Sequence, residues 1–468
     1  MDADPMTAAP VSMACRRIHR RWALLAAAVF WLPSWAQSGG QAMDFDAAHA
    51  RLQAVSDALR ASDLAIEDKR QLATAAQRLR LPNISADIKL VDSEKTLEIP
   101  LGPLEPLASQ YGIDSPLVLE SHSWRTRPIL QATLPLYTGG AIPAQQQLSA
   151  AAVQQAQAEH ELQADTLLTQ LVQAYFGQSL AERVVVARRE ARDGLQQHLV
   201  DTARLEKHGF ATHAQQLQAQ VARDQAEREF QKAGNDLETA RQTLALLLRS
   251  PPIEAVTLLF VLPEPIGTRE QFRERVGTGH PQLDRFQAIV EQSRQGVRLQ
   301  QARQKPEVFA FGQYDVHKED ATFVEPDWAV GVGIRYSFLS GGRRQQVAAA
   351  RARNEQAEAG LQEVRVQLDI AVTRAFDAMA NARVQFVLLE SAIAQAEENL
   401  RLQTLSFREG QATSLDVIDA RVALVNARVA RAQAAYQFDV SLAQLLEASG
   451  QAGQFPRYVE LPTKVNVQ

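Results

Sequence analysis

The sequence predicts a mixed α/β chain in which pairs of β-strands alternate with long helical hairpins, and in which this unit occurs twice. Three observations support this prediction. The motif LPLYTGG at residues 134–140 has a counterpart, YSFLSGG, at residues 336–342. A long helical stretch rich in Ala and Gln follows each motif. Each stretch is interrupted by a single glycine, Gly209 in the first copy and Gly410 in the second, at nearly the same distance from the motif.

Composition favours long helices packed side by side over a round core. The chain has 468 residues, of which only 6% are aromatic, and its formal net charge is −5. Its helical parts are built mainly from Ala, Gln, Leu and Val. The acidic balance gives no reason to expect a nucleic-acid partner.

Residues 1–36 are predicted to be a secretory signal peptide. Four arginines within residues 16–21 precede an apolar run at 22–32, which is too short to span a bilayer as a helix. A small-x-small site ends at Ala36, after which we expect cleavage. The only cysteine, Cys15, would leave with this segment, so disulfide and thiol chemistry are not expected. An exported chain of this kind is periplasmic, secreted or part of an outer membrane.

The remainder divides into two predicted repeats and a tail. The first repeat, residues 37–252, starts with helix that ends at Leu81-Pro82. The second repeat, residues 253–450, contains the corresponding helix at 280–305. Residues 451–468 are interpreted as a C-terminal tail.

Four segments alternate with the period of a β-strand, at residues 83–92, 127–137, 308–317 and 327–338. Each has about 10 residues, the length of a tilted membrane strand. A half-buried strand of a soluble sandwich would alternate too, but four such strands behind a signal peptide favour the membrane. In the last segment we expect these side chains to face lipid: Trp328, Val330, Val332, Ile334, Tyr336 and Phe338.

The first strand pair is separated by a longer connection than the second. The extra segment is centred on residues 98–121 and is rich in Pro and Leu. We expect it to form a long loop, and in a membrane barrel the long loops face the outside of the cell.

The helical stretches are too long to pack on a compact core. No proline follows Pro143 before His208, and a continuous helix of this length would extend about 100 Å. Such a helix must lie beside other long helices. Shorter helices are expected to return at 212–248 and 413–448. In the second copy the apolar stripe has helical spacing: Leu361, Val364, Leu368, Val372, Phe376 and Met379.

Four membrane strands cannot close into a barrel, because the smallest barrels have about 8. An open sheet would leave edge backbone groups unpaired in hydrocarbon, at several kcal/mol each. The chain is therefore expected to associate with copies of itself. Three copies would supply a 12-stranded barrel and a ring of long helices below it.

Three motifs resemble the TolC-like outer membrane channel proteins, the outer membrane factors of efflux pumps and type I secretion systems. They are GHPQLDRFQAIVEQSRQGVRLQQARQKPEV at 279–308, FLSGGRRQQVAAARAR at 338–353 and FREGQATSLDVIDARVAL at 407–424. The resemblance covers roughly residues 50–450. It implies a homotrimer with a barrel in the outer membrane and an α-helical tunnel through the periplasm. A periplasmic adaptor and an inner-membrane pump would be its partners.

The resemblance also implies a periplasmic entrance. Asp416 and Asp419 match two acidic positions that surround the narrow entrance in the best-known family member. Thr413 with Asp416 also resembles a helix capping box, so the pattern is compatible with two roles for Asp416, a helix cap and a gate residue. Asp419 has no capping role, which favours the gate.

Two departures from the family concern how this entrance closes. Ala412 stands where the best-known member has an arginine, and Gln215 where it has an acidic partner. The turns themselves are expected to form tips that meet the adaptor, with the glycines in the left-handed region. The residues expected at these tips are Gly209, Thr212, Gly410 and Thr413.

The leading hypothesis is a passive export conduit for small toxic compounds in a tripartite efflux pump. The channel of a type I protein secretion system is an alternative, and a periplasmic coiled-coil scaffold is an alternative of another class. We find no catalytic motif, metal-ligand cluster or cofactor-binding motif, and expect no enzyme activity. The spacing of His208 and His213 fits a solvated tip better than a metal site.

Overall fold

A computed structural model describes residues 41–316, 327–338 and 341–466 of the chain. The predicted signal peptide lies outside these described residues. These described residues form one compact unit.

The described first half of this unit contains the short strand β1, three helices, a strand pair and a long helical hairpin. Its elements are β1 (Gln41–Met43), α1 (Phe45–Val55), α2 (Asp57–Gln77), β2 (Asn83–Ile99), α3 (Glu105–Ser109), β3 (Leu117–Tyr137), α4 (Ala141–Lys207) and α5 (His213–Leu248).

The second half repeats this order of strand pair and hairpin. Its elements are β4 (Ile253–Ala255), β5 (Phe260–Val261), α6 (Arg269–Val276), α7 (Pro281–Ala302), β6 (Glu307–Asp315), β7 (Trp328–Arg335), α8 (Arg343–Arg408), α9 (Ser414–Ala448), α10 (Phe455–Val459) and β8 (Val465–Asn466).

The four predicted strands form one antiparallel sheet in the order β2-β3-β6-β7. For three of the strands, a predicted boundary differs from the structure. β2 and β3 stay paired as far as Ile99 and Leu117, so both strands extend well into the connection predicted between residues 92 and 127. β7 ends at Arg335, so Tyr336 and Phe338 lie beyond the strand that was predicted to contain them, although both are exposed.

The helical hairpins form as the period and the turn glycines predict. α4 has 67 residues and α8 has 66, and the returning helices α5 and α9 have 36 and 35. At 1.5 Å per residue α4 and α8 are each about 100 Å long. The stripe predicted on α8 packs as expected, with Val364, Val372 and Met379 in the core. Among the described residues no helix combines the length and hydropathy needed to cross a membrane.

The core lies where α1, α4, α9 and the C-terminal segment meet. Tyr175 is fully buried there, and its hydroxyl donates to the Met43 carbonyl oxygen at 2.7 Å. The described part of the predicted tail, residues 451–466, packs onto the rest of the chain, because Phe455 and Val459 are buried in this core and β8 pairs with β5. The core is rich in aromatic rings: Phe45, Tyr175, Phe176, Phe260, Phe438 and Phe455.

Candidate functional site

The sheet has two sides of opposite character. We call the side that carries Val330 the outer side, and the strand register assigns the remaining positions to it or to the inner side. Outer-side residues are apolar and exposed, with Trp328, Val330, Val332 and Ile334 between 63% and 73% exposed. The same band continues across the other strands through Ile84, Ile88, Leu90, Leu130 and Tyr314.

The inner side of the sheet is polar and is crossed by ion pairs. Arg127 Nη2 lies 2.9 Å from Asp315 Oδ2, and Arg335 Nη1 lies 3.9 Å from Glu307 Oε2. Where aromatic rings occur here, they lie over glycine: a Cβ on Gly333 would come within 2.7 Å of the Phe309 ring. A sheet that is apolar on one side and charged on the other can separate hydrocarbon from water.

The two helical turns, at the ends of α4 and α8 that lie away from the sheet, have the same backbone geometry. Each ends its long helix with a glycine in the left-handed region, Gly209 at φ 78° and Gly410 at φ 75°. The amide of the next residue donates to a carbonyl five residues back, Phe210 to Leu205 and Gln411 to Ser406, both at 2.8 Å. This is a Schellman ending, which uses helix carbonyls that would otherwise lack partners.

Both turns carry a capping box, which confirms the one predicted for Thr413 and Asp416. The Thr212 amide donates to Gln215 Oε1 at 2.8 Å, and the Thr413 amide donates to Asp416 Oδ2 at 2.7 Å. The Thr413 hydroxyl and amide both donate to the Asp416 carboxylate, and these bonds lower its pKa.

Asp416 therefore caps α9 while remaining exposed. Asp419 is also exposed, and within the described part of the chain its carboxylate makes no hydrogen bond or ion pair. The two carboxylates lie three residues apart on α9, on the same side of the helix. Each chain thus presents a pair of open carboxylates near one of its two tips.

A buried polar contact behind this tip was missed by sequence reasoning. His198 of α4 is 6% exposed, and its Nε2 lies 2.8 Å from the hydroxyl of Ser414, which is fully buried. Burial lowers the pKa of His198, and the charge of Arg421 lowers it further. The imidazole also packs against Phe407, with ring centroids 4.8 Å apart. A histidine inside a helical pattern carries no sequence signal for such a long-range pairing.

Arg421 is positioned by a glycine that the sequence did not single out. A Cβ on Gly194 of α4 would fall 1.7 Å from Arg421 Nη1, so the guanidinium lies directly against the α4 backbone. Burial lowers the pKa of Arg421. Gly194 therefore lets α9 place a cation between the hairpins close to the tip.

An apolar groove of about 910 Å³ runs beside these residues. Ala191 and Leu195 of α4 form its floor, α5 forms one wall and α9 the other. The wall residues include Leu217, Val221, Leu415 and Val422, which are between 42% and 67% exposed.

Within the described ranges, no group of three or more His, Cys, Asp or Glu side chains could hold a metal ion. His213 at the first tip instead pairs with Glu206, with Nδ1 and Oε1 2.8 Å apart.

Comparison with known proteins identifies the second half of the chain. Residues 275–451 match the family model of the outer membrane efflux proteins. This region is an outer membrane efflux protein domain. None of the curated protein sequences matches the chain.

Solved outer membrane channels share the fold of this chain. VceC of Vibrio cholerae is 19% identical with a TM-score of 0.69, over 87% of this chain and 96% of that one. CusC is 16% identical with a TM-score of 0.73, over 89% and 95%. CmeC of Campylobacter jejuni is 14% identical with a TM-score of 0.71, over 90% of each chain. The family resemblance recognised from the sequence is confirmed over residues 275–451, and the solved channels confirm that the fold is shared.

Proposed function

We propose that this chain is the outer membrane channel of a tripartite efflux pump. Three copies of its four strands would close a 12-stranded barrel, and six helical hairpins would continue the barrel as a tunnel through the periplasm. The channel would be a passive conduit for small toxic compounds. Its partners would be a periplasmic adaptor and an inner-membrane pump.

The apolar outer side of the sheet carries this proposal. A band of large apolar side chains is exposed on all four strands, and β2 and β7 are edge strands of the described sheet. In hydrocarbon each unpaired edge group costs several kcal/mol, so β2 of one copy must pair with β7 of the next. Lipid would then cover the band, and the ion pairs of the inner side would face an aqueous lumen.

The same band argues against the periplasmic scaffold. A soluble cap would have to bury this apolar band against protein, whereas Val330 and Ile334 are 72% and 73% exposed. No other described element packs over these two side chains. The barrel therefore accounts for the surface, and the scaffold does not.

Asp416 and Asp419 are proposed as the periplasmic entrance gate. Three copies would bring six carboxylates around one axis, which would favour cations and exclude anions. Ala412 and Gln215 are both uncharged, so they cannot form an arginine–carboxylate pair. Other contacts would have to close the entrance. The exposure of both carboxylates supports this role.

The two tips are proposed as the adaptor-docking surface, with Gly209, Thr212, Gly410 and Thr413 at their ends. Helices of about 100 Å carry these turns as far from the sheet as the chain can reach. The two turns have matching geometry, so a trimer would present six similar tips. The apolar groove between α5 and α9 opens beside them and suits a helical hairpin of the partner.

Mass measurement in detergent, with the detergent mass subtracted, tests the trimer directly. We expect three chains that form cation-selective pores in planar bilayers. A water-soluble, monodisperse monomer would refute the channel.

Bulk at the tips tests docking. Gly410→Trp combined with Gly209→Trp should leave the inserted trimer intact and abolish export. Gly410→Ala measures the effect of backbone strain without bulk, since φ is positive at this position. Phe210→Trp, at a tip position that is already aromatic and 81% exposed, is the matched control and should export normally. Normal export by the double Trp variant would exclude the tips as the docking surface.

A further inference from the structure

The hairpin of β2 and β3 continues far beyond the four-stranded sheet. β3 pairs with β6 only from Ile129 onward, whereas β2 and β3 remain paired as far as Ile99 and Leu117. We call residues 90–99 and 117–126 the distal ribbon. Its ten residue pairs extend about 30 Å at 3.3 Å per residue. The ribbon leaves the sheet at the end opposite the helices.

The outer side changes character where the ribbon begins. Along β2 the apolar positions of the sheet are followed on the same side by Asp92, Glu94 and Glu98, all exposed. Trp124, opposite Asp92 and 67% exposed, marks the change, as aromatic residues do at membrane interfaces. Glu120 adds another carboxylate on β3, and Val118 is an apolar exception.

The inner side changes in the opposite sense. In the sheet it carries the Lys89–Arg127 pair of cations, but at the end of the ribbon it carries Leu97 opposite Leu119 and Ile99 opposite Leu117. Ile99 and Leu119 are 39% and 47% exposed. The connection beyond them adds further exposed apolar side chains: Leu104, Leu107, Tyr111 and Ile113.

The end of the distal ribbon, at its last two inner-side pairs, therefore has its polarity reversed relative to the sheet. Lipid cannot cover its apolar side, because that side continues the polar inner side and not the lipid-facing band. In a trimer, the space on this side holds the other two ribbons. A barrel of 12 tilted strands has a radius of about 12 Å, less than half the length of the ribbon, so all three ends can reach the axis.

Resting on the trimeric channel proposed above, we propose that the three distal ribbons lean together and form an external gate. Leu97, Ile99, Leu117 and Leu119 of each copy pack against those of the other two over the mouth of the barrel. The carboxylates of the outer side stay in water and face away from the axis. The occupant of each apolar ribbon side is thus a second copy of the same ribbon.

Engineered cysteines test this packing, because the only native cysteine, Cys15, lies in the predicted signal peptide. Leu119→Cys should form a disulfide-linked dimer within the trimer under mild oxidation, seen as a band on non-reducing gels. The neighbouring variant Glu120→Cys places its thiol on the outer side and should give little of this product. Equal cross-linking of both variants, or of neither, would overturn the gate.

Conductance gives an independent readout. The double variant Leu97→Ser, Leu119→Ser should raise single-channel conductance at least two-fold, whereas Glu98→Ser, Glu120→Ser should leave it unchanged. A normal trimer with wild-type conductance in the first variant overturns the gate and leaves the channel standing. Failure of the wild-type chain to form trimers or pores would instead refute the proposed function, and the gate with it.

Discussion

The sheet end and the tip end of this chain differ in how much of their structure one copy completes. At the tips, the Schellman bonds and capping boxes satisfy the helix ends within the chain. At the sheet, β2 and β7 have open edges in the described structure, and the apolar outer side lies exposed. The helix ends at the tips are thus completed within one copy, whereas in the proposed channel lipid and further copies complete the sheet.

The largest expected effect is at the sheet end. Val332→Arg places a cation in the middle of the apolar band and should destabilise the assembled barrel by about 2–4 kcal/mol. The yield of trimer in membranes and its urea midpoint measure this loss. Ala329→Arg, on the inner side of the same strand, should be tolerated because water covers that side. Equal losses from both variants would mean that the two sides are assigned wrongly.

A smaller effect is expected between Gly194 and Arg421. Gly194→Ala gains about 1 kcal/mol of helix propensity but drives its Cβ into the guanidinium. In the Arg421→Ala background this obstacle is gone, so the same change should stabilise by about 1 kcal/mol. A double-mutant cycle on the unfolding free energy should therefore show coupling. Additive effects would show that the guanidinium moves aside at no cost.

The two tips allow the cap and the gate to be separated. Thr212→Ala and Thr413→Ala should each cost about 1 kcal/mol of local helix stability, because each removes an N-cap. Only the second tip carries Asp416 and Asp419, so replacing both by Asn should reduce cation selectivity and block by multivalent cations. Asp419→Asn alone should retain much of that reduction without loss of stability. Unchanged selectivity in the double Asn variant would make these carboxylates ordinary surface charges.

The smallest effect is a pH dependence behind the second tip. His198 has a pKa lowered from 6.5 by burial, so the unfolded chain binds its proton more readily than the folded chain does. Tip stability should therefore fall as the pH drops below 6.5, down to the lowered folded value. Hydrogen exchange of α4 and α9 at several pH values measures this loss. His198→Gln should flatten the dependence, and His213→Gln, at the exposed tip, should not.

Local patterns in the sequence predicted most of the secondary structure of this protein. The period-2 segments predicted four strands, the long uninterrupted helical stretches predicted both hairpins, and Gly209 and Gly410 predicted their turns. Thr413 followed by Asp416 predicted the cap. These features depend on residues a few positions apart, so the sequence states them directly.

The tertiary structure alone decided what depends on contacts between distant segments. The cross-strand register extended β2 to Ile99 and β3 back to Leu117, and so formed the distal ribbon. The Ser414 hydroxyl contacts His198, which is more than 200 positions away in the sequence, and Phe455 of the predicted tail is buried in the core. The local sequence at each of these residues is compatible with both a buried and an exposed position. Burial and pairing depend on which distant segment lies opposite. Only the tertiary packing therefore decides the environment of each residue.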